Sequence, residues 1–382
     1  MRLLIISHTP HYMKEDQIVG WGSTVREIDH LAALFDEVVH IAPLHPEQDP
    51  GSSLPYTSPK VRVRPVKPAG GNGFIDKLSI LKQVPVYVRV MLEEMKTADI
   101  VHVRCPAAIS LIALLLLIVK QRPTYRWVKY AGNWKPIDED PLTYRFQRWL
   151  IAKNYFRGIG SINGKWAVQP QHLLTFVNPC LTKTELEEGQ EFARQKQLTN
   201  PIQLLFVGRL EEAKGVTQVL QIAVELRNQG QQFRLRLIGD GTDREKYINL
   251  ARKMRIEADT EFIGFVPRDK LSKYYQTTHF VLLPSSSEGW PKVLSEAMAY
   301  GIVVLASDVA SIPQILQESG AGYAIKSNDV HTYAKRIIDL AQHPHDWEDM
   351  SKSGTVFASC FSYENYLQTL NKTFEEIWDI VL

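Results

Sequence analysis

Two short segments of this 382-residue chain concentrate residues able to do chemistry. The first reads Gly208-Arg209-Leu210-Glu211-Glu212-Ala213-Lys214-Gly215, between the apolar run Ile202–Val207 and a helix-like stretch from Val216. Parallel sheets bind ligands at the C-terminal ends of their strands, so this loop is placed to meet one. Arg209 offers paired donors and Lys214 a movable point charge, which together suit a diphosphate; without such a ligand they read as two ordinary surface cations. The second segment runs from Ser285 through Glu288, Gly289, Trp290, Pro291, Lys292, Val293 and Leu294 to Glu296. Pro284 ends the run Phe280–Leu283, and Pro291 suits the first position of a helix. The free amides and dipole of that helix N-terminus attract an anion. Glu288 precedes the helix, while Glu296 follows Lys292 by four residues and shares its face.

Other polar residues fall where strands should end. His8 and His11 follow the run at Leu3–Ser7, and either line an acceptor's binding wall or are plain loop histidines. His102 and Arg104 end the run at Ile100–Val103 and either point to a ligand or cap the strand. Asp138-Glu139-Asp140 has the spacing of an acidic metal motif, but it precedes a helix expected at Leu142, where carboxylates are favoured anyway. No metal site is expected from it. Cys105, Cys180 and Cys360 lie far apart with no ligand partners, which suits a reducing cytoplasm without structural zinc.

The elements that must hold these residues recur along the whole chain. Apolar runs at Leu3–Ser7, Val38–Ala42, Val61–Val66, Ile100–Val103 and Trp127–Tyr130 predict one parallel sheet. Runs at Ile202–Val207, Leu235–Ile238, Glu261–Ile263, Phe280–Leu283, Val303–Ala306 and Gly322–Ile325 predict a second. Asn178-Pro179 and Asn200-Pro201 bracket a charged helix between them. Two α/β domains follow, 1–180 and 181–361, with an amphipathic helix over 362–382 packing back on the first. Two cores in one chain imply a cleft between them.

The order and spacing of the two segments, with the loop Gly239-Asp240-Gly241 between them, resembles the retaining glycosyltransferases of family four, whose fold is GT-B: two Rossmann-like domains facing across a cleft. These carry a G-R-L-x-x-x-K-G loop and an E-x-G-x-P-x-x-x-x-E helix entry. The resemblance is close over residues 200–330 and architectural over 1–180. It implies that Arg209 and Lys214 bind a nucleotide-sugar's diphosphate, that Glu288 lies by the donor sugar, and that Glu296 holds the ribose. Gly241, Gly289–Leu294 and the backbone of Ile263–Val266, ending at Val266, would complete the donor site. Gly20-Trp21-Gly22 resembles the family's N-terminal glycine loop, with Gly22 close to the donor, or is a simple turn. Where relatives carry a histidine after the fifth strand, this chain has Gly132-Asn133, a departure that leaves the acceptor contacts open.

The resemblance implies transfer with retention to a glycan, lipid-linked or small-molecule acceptor, in polysaccharide or glycoconjugate synthesis. With the phosphates neutralised by fixed cations, neither metal nor cofactor is required. Three other readings are an NAD-dependent oxidoreductase, a GT-B epimerase or phosphorylase, and a silent sugar-nucleotide binder. The first lacks a glycine motif after strand one; product analysis and donor turnover separate the others.

Charge and hydropathy bear on location. Residues 1–178 carry 22 Lys/Arg against 15 Asp/Glu, a net +7, while the remainder carries 22 against 27. The basic residues gather between Lys60 and Arg89, beside Phe74, Ile75, Leu78 and Leu81, and either meet an anionic membrane or acceptor or form a solvated helix face. No nucleic-acid partner is expected. The N-terminal run LLII is too short for a signal peptide, and Ala107–Val119 falls short of the roughly 20 apolar residues that span a bilayer. The expected location is cytoplasmic, at most peripheral to the membrane.

Overall fold

Runs such as Leu3-Leu4-Ile5-Ile6 and Leu204-Leu205-Phe206 are apolar toward both sides, a pattern suited to strands in sheets covered by helices on both faces. The chain forms two such sheets in two units, one of Met1–Val177 with Asn365–Leu382 and one of Asn178–Glu364. The computed structural model describes residues 1–70, 74–135 and 140–382, with 74–78 described by their backbone alone.

In the first unit the strands are β1 (Arg2–Ile6), β2 (His11–Lys14), β3 (Gln17–Trp21), β4 (Glu37–Pro43), β5 (Ser53–Pro55), β6 (Val61–Val66), β7 (Ile100–Cys105), β8 (Tyr125–Tyr130), β9 (Ile159–Ile162) and β10 (Leu173–Thr175). The helices are α1 (Gly22–Leu31), α2 (Phe74–Met95), α3 (Ala108–Val119) and α4 (Leu142–Ala152). Seven strands form a parallel sheet in the order β10-β9-β8-β7-β1-β4-β6. The chain runs outward from β1 to β6 and then returns to lay β7 on β1's other side. The switch point therefore lies between β1 and β7.

One face of this sheet packs α2, α3 and α4 through Tyr87, Met91, Leu114, Leu117, Leu150 and Ile151. The opposite face packs α1 and the chain's last helix through Ile28, Leu31, Tyr366, Leu370 and Phe374. Among the described residues no helix is long and apolar enough to cross a membrane. The apolar run at 107–119 is α3, whose Ile109, Ala113, Leu114 and Leu117 are buried.

Two features of this unit escape a reading by apolar runs. Strand β9 and the edge strand β10 have four and three residues, too short to stand out. A small antiparallel sheet, β2-β3-β5, follows β1 and contains the expected glycine loop. Its hairpin turns at Glu15 and Asp16, with φ of 48° and 61°, the two left-handed positions of a tight turn that glycine or asparagine would ordinarily announce.

In the second unit the strands are β11 (Ile202–Val207), β12 (Phe233–Ile238), β13 (Thr260–Gly264), β14 (Phe280–Leu283), β15 (Val303–Ser307) and β16 (Gly322–Ile325). The helices are α5 (Lys183–Gln195), α6 (Val216–Asn228), α7 (Arg244–Lys253), α8 (Ser272–Thr277), α9 (Lys292–Ala299), α10 (Ile312–Ser319), α11 (Val330–Gln342) and α12 (Pro344–Phe357). The last helix, α13 (Tyr363–Trp378), carries the chain back into the first unit. The parallel order is β13-β12-β11-β14-β15-β16, so here the switch point lies between β11 and β14. Helix α5 opens the unit with a capping box, Thr182 and Glu185 each holding the other's backbone N–H.

Candidate functional site

The loops after β11 and β14 meet at the switch point of the second sheet, where the geometry of doubly wound folds opens a crevice for ligands. Backbone bonds lace the neighbouring loops together. Gly208 N donates to Ile238 O at 2.9 Å, Leu210 N to Asp240 O at 3.0 Å, and Ser286 N to Ala213 O at 2.9 Å. Two glycines permit this closeness. Gly215 has φ +77°, and a Cβ there would stand 2.2 Å from Pro284 O; at Gly239, with φ +134°, a Cβ would stand 1.8 Å from Gly208 O. Gly241 lies in the same weave against Leu210 O.

On this scaffold Lys214 Nζ donates to Glu288 Oε1 at 2.7 Å, joining the two sequence segments directly. Arg209 stands at the same loop with its side chain 77% exposed and pairs with Glu211 at 3.4 Å. A guanidinium so placed is free to turn toward an anion. Helix α9 begins one residue later than its sequence suggests, with Pro291 as its N-cap and Lys292 its first residue. Gly289, Pro291, Lys292 and Val293 remain partly accessible around that end, and Ser311 Oγ donates to Gly289 O at 3.0 Å. Val266 is half-buried in the loop after β13, following Gly264 at φ +85°.

Three expected donor residues are placed otherwise. The Trp290 side chain turns inward, stacking on Phe361 at 5.3 Å and donating to Ser295 Oγ at 2.7 Å. Leu294 is fully buried. Glu296 is 8% exposed and already held, by Tyr275 Oη at 2.8 Å and Arg268 Nε at 3.0 Å. Arg268 in turn bonds Glu185 and donates to Cys180 O at 2.6 Å. Burial, and then the Glu296 charge, raise the Tyr275 pKa well above the ordinary phenol, so the hydroxyl stays a donor. Burial likewise pushes the Cys180 thiol up to about 12. Neither Arg268 nor Tyr275 stands out in the sequence, since both become meaningful only when the loop before α8 folds over α9.

The acceptor-side candidates gather near the switch point of the first sheet. Glu27, from α1, takes Arg104 in a forked pair at 2.8 and 3.2 Å and Lys129 at 2.6 Å. Arg104 and Lys129 are register partners on β7 and β8, which is why one carboxylate reaches both. Neither Glu27 nor Lys129 was legible as part of a cluster, being 77 and 102 residues from its partner. His8 is accessible after β1, and partial burial followed by the Arg104 charge holds it below its ordinary pKa.

His11 does not line a wall. It is fully buried, with Nδ1 donating to Thr9 O (2.9 Å) and Nε2 bonded to Tyr56 Oη (3.0 Å), and burial lowers its pKa to about 4. Tyr56 Oη continues to His40 Nδ1 at 2.7 Å, and His40 Nε2 to Ser7 Oγ at 2.7 Å. His102 is also buried, stacked on Trp127 at 3.6 Å, because its position in β7 directs it into the sheet's face and away from the strand end. The glycines around Trp21 serve the small sheet: a Cβ on Gly20 would strike His11, and one on Gly22 would stand 2.9 Å from Ser52 O. Gly132 and Asn133 are half-buried after β8, with Asn133 Oδ1 accepting from Lys135 N at 3.1 Å.

Asp138 and Glu139 lie outside the described residues, and Asp140 pairs with Arg148 at 2.5 Å. Among the described residues no group of three or more His, Cys, Asp or Glu side chains is placed to hold a metal ion.

Comparison with known proteins agrees with this architecture. Residues 189–356 match the model of the glycosyl transferases group 1. A relative by sequence is the putative colanic acid biosynthesis glycosyltransferase WcaL of Salmonella typhimurium, 30% identical over 152 residues, covering 38% of this chain and 37% of the relative. The D-inositol 3-phosphate glycosyltransferase of Kribbella flavida is 26% identical over 50% of this chain and 48% of its own length. The matches thus span less than half the length of these curated relatives. Among solved structures, sucrose-phosphate synthase from Thermosynechococcus elongatus superposes with a TM-score of 0.73 at 17% identity, over 99% of both chains. Anabaena HepE, solved with UDP and glucose, gives 0.70 at 14% identity, over 99% of this chain and 100% of that one. The fold is GT-B.

Proposed function

We propose that this protein is a retaining glycosyltransferase that moves a sugar from a nucleotide-sugar donor to a glycan or lipid-linked acceptor in polysaccharide or glycoconjugate synthesis. The observation that carries the proposal is the 2.7 Å contact of Lys214 with Glu288 at the β11/β14 switch point, beside the exposed Arg209. The family match over 189–356 and the UDP and glucose named in the HepE structure support the same reading.

In this reading Arg209, Lys214 and the amides at the start of α9 bind the diphosphate, and Glu288 orients both Lys214 and the donor sugar. Fixed cations aimed at developing negative charge are worth on the order of 10² to 10³ in rate each. The bond from the anomeric carbon to the phosphate oxygen breaks and the acceptor oxygen bonds to the same face. The departing phosphate takes the acceptor's proton, and the nucleoside diphosphate leaves. No metal or other cofactor enters this scheme. NMR of the anomeric product in the presence of EDTA tests it: a retained configuration with undiminished rate is expected, and an inverted product or loss of activity on chelation overturns it.

The acceptor half of the proposal places the protein at the cytoplasmic face of an anionic membrane. The segment 60–89 is a weak carrier for that contact. Arg62 pairs with Glu94 at 3.1 Å, Arg64 with Glu93 at 3.3 Å, and Arg89 with Glu93 at 3.4 Å. The side chains of Phe74, Ile75, Lys77 and Leu78 lie outside the described residues.

A further inference from the structure

Helix α4 buries Leu150 and Ile151 against the sheet but displays a second apolar stripe to solvent. Leu142, Phe146 and Trp149 fall at helical spacing on that outer side and are 78%, 41% and 46% exposed. Phe146 stacks on Trp149 at 5.7 Å, and Trp149 meets Tyr155 at 5.1 Å. The patch continues onto α3, because Arg157, two residues beyond Tyr155, donates to Ile118 O at 2.6 Å beside the 75%-exposed Val119. Contiguous exposed aromatic and aliphatic surface of this kind is unusual unless something covers it.

The charges around it identify the cover. Residues 100–178 contain 11 Lys/Arg and three Asp/Glu, the three being Asp138, Glu139 and Asp140. Lys120, Arg122, Arg145, Lys153 and Arg157 are exposed around the patch. We infer that the outer face of α4, with the adjoining end of α3, docks on an anionic lipid bilayer, its aromatic rings at the level of the headgroups and the five cations on anionic lipid. Tryptophan, tyrosine and phenylalanine beside basic side chains suit that interface, where a ring is partly wet and a cation meets phosphate. A second copy of this chain is a poor occupant, since a two-fold contact would set the same five cations against one another. A soluble polyanion would satisfy the cations and leave the apolar stripe in water. The inference deepens the membrane-side acceptor proposed above and rests on that reading only for its purpose; the surface itself stands on the first unit alone.

The full chain is sedimented with vesicles of phosphatidylcholine alone or mixed equally with phosphatidylglycerol, at low and high salt. Two double variants are compared with it, Phe146→Ser with Trp149→Ser, and Arg145→Glu with Lys153→Glu. The wild type is expected to partition to the anionic vesicles at low salt and to be released by high salt, and each double variant to bind at least about tenfold more weakly with its thermal unfolding unchanged. Recovery of the wild type in the supernatant under every condition overturns the inference, as does undiminished binding by both variants. So does a concentration-dependent dimer that the same substitutions dissociate. Donor turnover with a water-soluble acceptor, measured without vesicles, separates the two proposals. Its absence beside intact vesicle binding counts against the transferase reading alone.

Discussion

Lys214 and Glu288 stand 74 positions apart and share one proton-mediated contact, so each sets the other's position before any ligand arrives. Replacing Lys214 by alanine removes the cation nearest the loop and frees Glu288 to move. Turnover is expected to fall by about a hundredfold or more with the fold intact, measured as kcat beside an unchanged circular dichroism spectrum. A near-normal rate would remove Lys214 from the mechanism. Glu296 calls for a different expectation, because it is buried under Arg268 and Tyr275. Glu296→Gln leaves Arg268 with Glu185 as its remaining carboxylate and weakens a charge-assisted bond, a loss of roughly 1–3 kcal/mol. A lower unfolding midpoint is expected together with weaker binding of the nucleoside diphosphate, read by calorimetry. Unchanged affinity beside a lowered midpoint would make Glu296 a structural residue and end its assignment to the ribose.

Helix α13 is the element whose role most exceeds its local sequence. Its apolar face, Tyr366, Leu370 and Phe374, completes the core under β1, β4, β7 and β8, where Phe374 meets Trp127 at 5.7 Å and Trp378 at 4.5 Å. Phe374→Ala opens a cavity in a packed layer and is expected to cost about 3–5 kcal/mol, seen as an early unfolding transition of the first unit. A cooperative melt at the wild-type midpoint would show that α13 contributes little there. The helix periodicity of this stretch was plain in the sequence, and so was the need for a docking surface. The first domain was expected as its docking surface, but the particular side chains it meets were not legible, because β1 and α13 lie at opposite ends of the chain. The hairpin β2–β3 shows the reverse case. Its strands alternate only weakly, and Glu15-Asp16 is an uncommon pair for a turn with positive φ, so no local feature announced it.

Across the whole molecule, neutral histidines are stored in both units. Burial holds His11 and His279 at about 4, and His40 and His102 well below the ordinary value. The folded forms of His11 and His279 bind fewer protons than the unfolded chain between pH 6.5 and 4, so stability falls as pH drops through that window. For a shift to about 4, the loss at pH 4 is on the order of 3 kcal/mol per histidine. Thermal midpoints recorded from pH 7 to pH 4 are expected to decline steeply. His279→Gln should flatten the decline of the second unit; if it leaves the slope unchanged, His279 is not one of its causes.

The sequence by itself determined the two parallel sheets and the position of the two loops that carry Arg209, Lys214 and Glu288 at the ends of β11 and β14. These rest on local information: apolar runs of strand length, prolines that end them, and glycines where a backbone passes within van der Waals contact of another. Arg209, Lys214 and Glu288 were legible because each follows such a run by a few residues, and the end of a parallel strand is where ligands bind. Only the tertiary structure decided which charges are already spent. Arg62 and Arg64 looked like a basic surface until folding brought Glu94 and Glu93 to them. Glu296 looked available until Arg268 and Tyr275 closed on it, and Trp290 looked like a ligand contact until it turned inward onto Phe361. The reason is physical: a strand or helix is set by neighbours within a few residues, whereas a side chain's partner is set by distance in space, which the linear order of the chain does not encode.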